Sequence, residues 1–361
     1  MSARTQALLL SLALLAGLGS WYAARPGEFA IFSPGPTVNL LGESHGEPVV
    51  SIKGRQSYRD DGKLRLVTIQ TTRAEDRVGL WRAIQGWIDP HVDVYPYSGV
   101  YQPSDTNQST RQQSAEQMTS SKDAATAAAL TELGIGFRDH VQVKGVTKGG
   151  PSDGLVEVDD RVARVNGTAV NGPDSVVEAV RKLKPGTMVT LGLVRDGKPV
   201  SVKVATVAVG KTGAEAKQSR VGITIGGKFD FPFQVKVSLD EAIGGPSAGL
   251  MFALTIVDLL TPGSMTDGKA IAGTGEISID GQVGSIGGVR QKIAGAQEDG
   301  AHLFLVPADN CAEAVHADYD HDQIRLVRVS TLKQAIAAVT TWAKNPEAAL
   351  PTCQSSPSRT S

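Results

Sequence analysis

A chain of 361 residues has room for two folded domains plus smaller segments, at a prior of about 150 residues per domain. Its 41% hydrophobic content supports a sizeable core, and its 40 glycines and 18 prolines predict many turns. With 36 Lys and Arg against 37 Asp and Glu the net charge is -1, so there is no basic field to gather nucleic acid and none is assigned as a partner.

Residues 7–24 are 18 consecutive uncharged residues, which as a helix would run about 27 Å against a bilayer core of about 30 Å. Arg4 and the shortness of the run also fit a cleaved signal peptide. Gly17-Leu18-Gly19 is a weak cleavage signal, however, and Trp21-Tyr22 stand where interfacial aromatics would. The expectation is an uncleaved anchor over residues 1–28, single-pass in the cell membrane, with membrane lipid as a partner and the body outside the cytoplasm. Secretion after cleavage near Arg25 is the alternative.

Residues 29–133 read as a small mixed region. Phe29 to Phe32 suggests a short strand and Ser33-Pro34-Gly35-Pro36 a stiff turn. Pro48 to Ile52 and Lys63 to Thr72 read as strands joined by a hairpin turn at Arg59 to Gly62, a sheet that links the first segment to the body. Leu80 to Trp87 reads as an amphipathic helix. Asn107 to Met118 is so polar that it reads as surface or loosely ordered chain, an access flap or, in preference, a solvated connector. Asp123 to Leu130 returns to helix.

Residues 134–210 form a second unit: Val141 to Val146 strand-like, a turn at Lys148 to Ser152, a helix from Ser175 to Leu183, then strands Val189 to Val194 and Val200 to Val209. This order resembles a PDZ domain, which accepts a peptide as an added edge strand. Where the family has Gly-Asp this chain has Asp159-Asp160, which bears on the local turn more than on the fold. The resemblance makes Gly134, Ile135, Gly136 and Phe137 candidates for binding a peptide carboxylate. A helix stop followed by a strand is their other reading.

After a charged joint at 211–219, residues 220–225 and 232–238 read as strands of a third unit, converging on Gly244-Gly245-Pro246-Ser247-Ala248-Gly249. Gly245 leaves backbone exposed around the serine, Pro246 suits a first helical turn because its missing N–H is an orphan there, and the following run to Leu260 is apolar enough for a buried helix. A serine N-cap on a core helix would look the same locally. Further on stand Thr274-Gly275-Glu276-Ile277, Gly281-Gln282-Val283, Ile286-Gly287-Gly288-Val289 and Lys292. Together with Gly-Pro-Ser-Ala-Gly these motifs resemble, in order and nearly in spacing, the proteolytic domain of the Lon family, and the whole chain is similar to its membrane-anchored, PDZ-containing branch without an ATPase.

That resemblance implies a Ser-Lys dyad of Ser247 and Lys292, with Gly245 and Pro246 shaping the nucleophile turn and Thr274 hydrogen-bonding the lysine. It also implies homo-oligomerisation. Periodicity selects the same lysine: positions 289, 292, 293 and 296 share a helix face on which Lys292 is the polar intruder, while Arg290, Gln291 and Gln297 point elsewhere. Snorkelling would account for it, but a desolvated lysine loses proton affinity and can serve as a base. Lys269 is the runner-up. His302, His316 and His321 lack the setting of a triad, and neither metal nor cofactor is assigned. Classical Lon enzymes often carry an acid three residues before the serine. Here that position is Gly244, with Asp240 and Glu241 further upstream.

No Gly-x-x-x-x-Gly-Lys-Ser/Thr stretch occurs, so the expected activity is an ATP-independent serine endopeptidase acting on flexible or unfolded polypeptides. The alternative is an inactive, membrane-tethered PDZ scaffold. Cys311 and Cys353 either pair and pin the tail or stay free. The fold class is thus α+β multidomain: an N-terminal transmembrane helix, the mixed region over 29–133, a PDZ-like β-rich domain over 134–210, a Lon-type α/β proteolytic domain over 220–344 and a flexible tail over 345–361.

Overall fold

The computed structural model describes residues 3–23, 28–44, 46–210, 212–240 and 242–353, the side chains of residues 3, 22 and 23 excepted. It divides into two compact units, residues 136–232 and the two stretches that flank them in sequence, 1–135 and 233–361.

The first segment is helical over Ala3–Ala23, but no helix among the described residues is long and apolar enough to cross a membrane. A span needs about 20 predominantly apolar residues. Here Arg4, Thr5 and Gln6 fill the first turn, and Ser11, Gly17, Gly19 and Ser20 dilute the leucines. The expected membrane anchor, its lipid partner and the single-pass topology are therefore corrected. The cleavage position near Arg25 lies outside the described residues.

The flanking unit is built on a six-stranded mixed sheet in the order Arg325–Val329, Leu303–Pro307, Ala270–Gly273, Lys63–Thr71, Phe29–Asn39, Asp93–Pro96. The early strands are thus half of the main sheet rather than a separate linking sheet. Lys63–Thr71 runs parallel to Ala270–Gly273, with Leu64 opposite Ile271 and Leu66 opposite Gly273, and both leucines are buried. The hairpin expected at Arg59 to Gly62 does not form, because Val50–Lys53 pairs with Gln234–Val237 instead.

Two helices frame the turn around Ser247. Gly249–Leu260 is buried at every position from Gly249 to Leu259, as befits a helix that is apolar but for Thr255 and Asp258. It packs on Asn107–Glu132, one continuous helix of 26 residues that takes in both the expected helix at Asp123 to Leu130 and the stretch Asn107 to Met118 expected to be a loose polar connector. Its polar start is stabilised by a reciprocal cap: Ser109 N–H donates to Thr106 Oγ1 at 3.1 Å and Thr106 N–H to Ser109 Oγ at 2.9 Å. Its end is a Schellman motif, in which Gly134 (φ 65°) donates to the Thr131 carbonyl and Ile135 to that of Leu130. Those N–H groups have no capacity left for a peptide carboxylate, so Gly134 and Ile135 act as a helix stop. Gly136 opens the other unit, where Phe137 packs against Phe229 and Phe231.

That other unit is an antiparallel sheet ordered Lys198–Ala205, Met188–Arg195, Arg161–Val165, Arg138–Val146, Ile223–Asp230, with the helix Pro173–Arg181 contributing Val176 and Val180 to its core. Ile223–Asp230, read as a strand of the third unit, is the full-length antiparallel partner of Arg138–Val146. At the turn without glycine, Asp159 takes φ 74°, a left-handed conformation that Asp tolerates, and its carboxylate accepts from Gln142 Nε2 at 2.9 Å. Asp160 is held in two hydrogen bonds by Arg195, at 2.8 and 2.7 Å, which keeps its carboxyl below the usual range.

The C-terminal segment is not loose over its described part. Arg328 N–H donates to the Pro351 carbonyl, Arg325 Nη1 to that of Pro346, and Cys353 forms a disulfide with Cys311. Residues 354–361 of the expected tail lie outside the described residues.

Candidate active site

The turn at Ser247 is set by its backbone. Gly245 sits at φ 93°, where a side chain would be strained, and Pro246 opens a short 3₁₀ turn, Pro246–Ala248, that runs into the apolar helix. A Cβ at Gly249 would lie 2.7 Å from Ile277 Cγ2, so glycine is what lets the helix start approach the Glu276–Ile277 strand. The same strand end is laced to the turn from the other side. Gly275 N–H and Thr274 Oγ1 both donate to the Ser247 carbonyl, at 3.0 and 3.1 Å, and Leu250 N–H donates to the Gly275 carbonyl at 3.0 Å.

Lys292 reaches the same threonine. Its Nζ donates to Thr274 Oγ1 at 3.3 Å, and because that hydroxyl spends its proton on Ser247, it can only accept from the lysine. Lys292 is 3% exposed and shares its face with buried Val289, Ile293 and Ala296, as the periodicity predicts. Burial lowers its pKa to about 8, against the opposing pull of Glu313 and Glu276. Gln291 does not point away: it is fully buried.

Lys269 is placed elsewhere, its Nζ spent on the Asp267 carboxylate at 3.1 Å and on the Ala343 carbonyl. His302 Nδ1 faces the Gln323 carbonyl at 3.4 Å, and no metal-binding group of acids, histidines and cysteines occurs among the described residues. Asp240 accepts from Ala242 N–H at 2.8 Å, a local turn, and Glu241 lies outside the described residues.

Three further residues escaped sequence reasoning. Asn310, 5% exposed, clamps Ile286 at both ends: Ile286 N–H donates to Asn310 Oδ1 and Asn310 Nδ2 donates to the Ile286 carbonyl, each at 2.8 Å. That clamp holds the loop leading to the helix of Lys292 through Gly288, whose φ is 69°. Ser114 and Ser121, on the long helix, grip the turn at Ser247: Gly245 N–H donates to the Ser114 carbonyl at 3.1 Å and Ser121 Oγ to the Pro246 carbonyl at 2.9 Å. No motif flags them. The available signal was positional, Thr110, Ser114, Met118 and Ser121 recurring at helical spacing in the polar stretch.

Ser247, at a helix start, is thus joined through its carbonyl and the Thr274 hydroxyl to the buried amine of Lys292. Residues 153–341 match the Lon protease (S16) C-terminal proteolytic domain, and the chain belongs to that family of serine proteolytic domains. It is 29% identical over 188 residues to Lon protease of Rhizobium meliloti (strain 1021), covering 51% of this chain and 23% of that one. It is 31% identical over 163 residues to Lon protease of Acinetobacter baumannii (strain AB307-0294), covering 44% and 19%. The chain thus spans a quarter or less of the length of these curated relatives. The PDZ domain of the SdrC-like protein from Listeria innocua is similar at 17% identity and TM-score 0.22, over 24% of this chain and 92% of that one, which carries no argument about residues 136–232.

Proposed function

We propose that this chain is a serine endopeptidase that cuts flexible or unfolded polypeptides through Ser247 and Lys292. The observation that carries the reading is the buried amine of Lys292, its proton affinity lowered by burial, joined through Thr274 to the backbone carbonyl of Ser247. Neutral Lys292 takes the Ser247 proton as Oγ bonds to the substrate carbonyl carbon, and the carbonyl oxygen carries the negative charge of the tetrahedral intermediate. As that intermediate collapses, the C–N bond breaks and the lysine ammonium gives its proton to the departing amine, leaving an acyl-enzyme. Water then attacks the ester carbon, losing its proton to Lys292, and the proton returns to Ser247 Oγ as the acid departs.

Within 245–247 the choice of oxyanion donor is narrow. Gly245 N–H is committed to Ser114, proline has no N–H, and the N–H of Ser247 falls among those that a helix start leaves without an intrahelical partner. Residues 136–232 are proposed to gather polypeptide by strand addition at a sheet edge.

A serine-directed covalent probe with peptide mapping tests the chemistry. Wild type should label at Ser247, and folded Lys292→Arg should not, because guanidinium keeps length and charge but cannot accept a proton. Unchanged labelling in Lys292→Arg removes Lys292 as the base. Absence of label in wild type, with polypeptide still bound, would leave the inactive scaffold.

A further inference from the structure

We propose that Ser121 is a positioning residue for catalysis: its hydroxyl sets the orientation of the Pro246-Ser247 peptide and so aims the Ser247 N–H at the oxyanion. This rests on the function proposed above and assigns a part in it to a helix outside the family-matched residues 153–341.

On the Asn107–Glu132 helix, Thr119, Thr126 and Thr131 each donate to the carbonyl four residues earlier, the usual resting place of a hydroxyl inside a helix. Ser121 departs from this habit. Although 6% exposed, it donates across a separation of 125 residues to the Pro246 carbonyl, at 2.9 Å. The same carbonyl accepts from Gly249 N–H, so both of its lone pairs are engaged and its direction is fixed from two sides.

That carbonyl and the Ser247 N–H are the two ends of one planar peptide unit, and the chain has no cis bond among the described residues. The proline ring already fixes φ of Pro246. The freedom that remains is rotation about ψ of Pro246, which swings the carbonyl one way and the Ser247 N–H the other. Holding the carbonyl removes it. The fit is close: a Cβ at Gly249 would lie 3.0 Å from Ser121 Oγ, and one at Gly244 would lie 2.7 Å from Ser114 Cβ. The glycines of the nucleophile turn thus make room for the long helix, and in return that helix orients the turn.

The test uses the full chain, a peptide substrate and a peptide boronic acid, whose tetrahedral adduct on Ser247 places an oxygen where the oxyanion forms. Loss of an oxyanion donor costs about 100- to 1,000-fold, and misaiming one should cost about 10- to 100-fold. Ser121→Ala should therefore lose about 10- to 100-fold in kcat and the same factor in boronate affinity, with KM within about twofold. Thr119→Ala, which removes a hydroxyl bonded within the helix, should change none of these. Ser121→Ala matching wild type in both, or losing kcat without losing boronate affinity, overturns the proposal. If wild type itself neither hydrolyses peptide nor binds the boronate at Ser247, the proposed function falls and this inference with it. If wild type reacts normally, failure of the Ser121 effect removes this inference alone.

Discussion

Lys292 is destabilising in the state in which it waits. Its folded pKa of about 8 lies below the ordinary value of 10.5, so between those limits the unfolded chain binds more protons and stability rises with pH. Below pH 8 both states are protonated and the full penalty applies, on the order of 3 kcal/mol at about 1.36 kcal/mol per pH unit. The same shift should make kcat/KM climb with pH to a plateau above about 8, and Lys292→Met should be inactive yet more stable than wild type at pH 7, with the gain vanishing towards pH 10.5. A flat pH-rate profile, or a less stable Lys292→Met, contradicts this account of the burial. Lys292 was legible in the sequence because a helix face is a local, periodic pattern. Asn310 was not, because its partner Ile286 lies 24 residues away, and neither residue carries the other's position in its own neighbourhood.

Elements carry function here by holding one another's ends. The helix of Lys292 begins at a left-handed glycine, and the loop before it is fixed by two hydrogen bonds with the side-chain amide of Asn310, one accepted and one donated, next to the disulfide cysteine Cys311. Asn310→Ala leaves an Ile286 N–H and carbonyl without that partner, at a cost of about 1–3 kcal/mol. The loosened helix start should admit water to Lys292, so the pH-rate midpoint should move up from about 8 towards the ordinary lysine value while kcat at neutral pH falls. A stability loss with an unmoved midpoint would confine Asn310 to folding. The long helix shows where reading by hydropathy stops. Its inward stripe of Thr110, Ser114, Met118 and Ser121 is mostly polar, and an apolar-stripe criterion passes over it although the Ser121 hydroxyl and the Ser114 carbonyl both bond the turn at Ser247. Lys63 to Thr72 was recognised as a strand, but its parallel pairing with Ala270–Gly273 is a contact across some 200 residues that local patterns do not encode.

At the scale of the whole molecule, one unit is interrupted in sequence by the other, and the seams fall at Ile135 and Phe233. Each seam is secured within the flanking unit. Ile135 closes the Schellman cap of the long helix, and buried Phe233 lies under the Arg55 guanidinium, 5.6 Å from ring centroid to carbon, just before Gln234–Val237 pairs with Val50–Lys53. A deletion meant to separate capture from chemistry should respect those seams. Replacing residues 136–232 with a short glycine-serine linker removes a complete sheet and core, whereas removing 134–209 takes away Arg138–Val146 and strands its partner Ile223–Asp230 with an open edge and the apolar residues Val221, Ile223 and Ile225 uncovered. The first variant should stay folded and label at Ser247 within about threefold of the wild-type rate, because no residue of the proposed acylation step lies in 136–232, while its polypeptide hydrolysis falls by about tenfold or more. The second should aggregate. Equal loss of labelling and proteolysis in a folded 136–232 variant would contradict the division of labour, since it would require residues 136–232 to contribute to the acylation step itself.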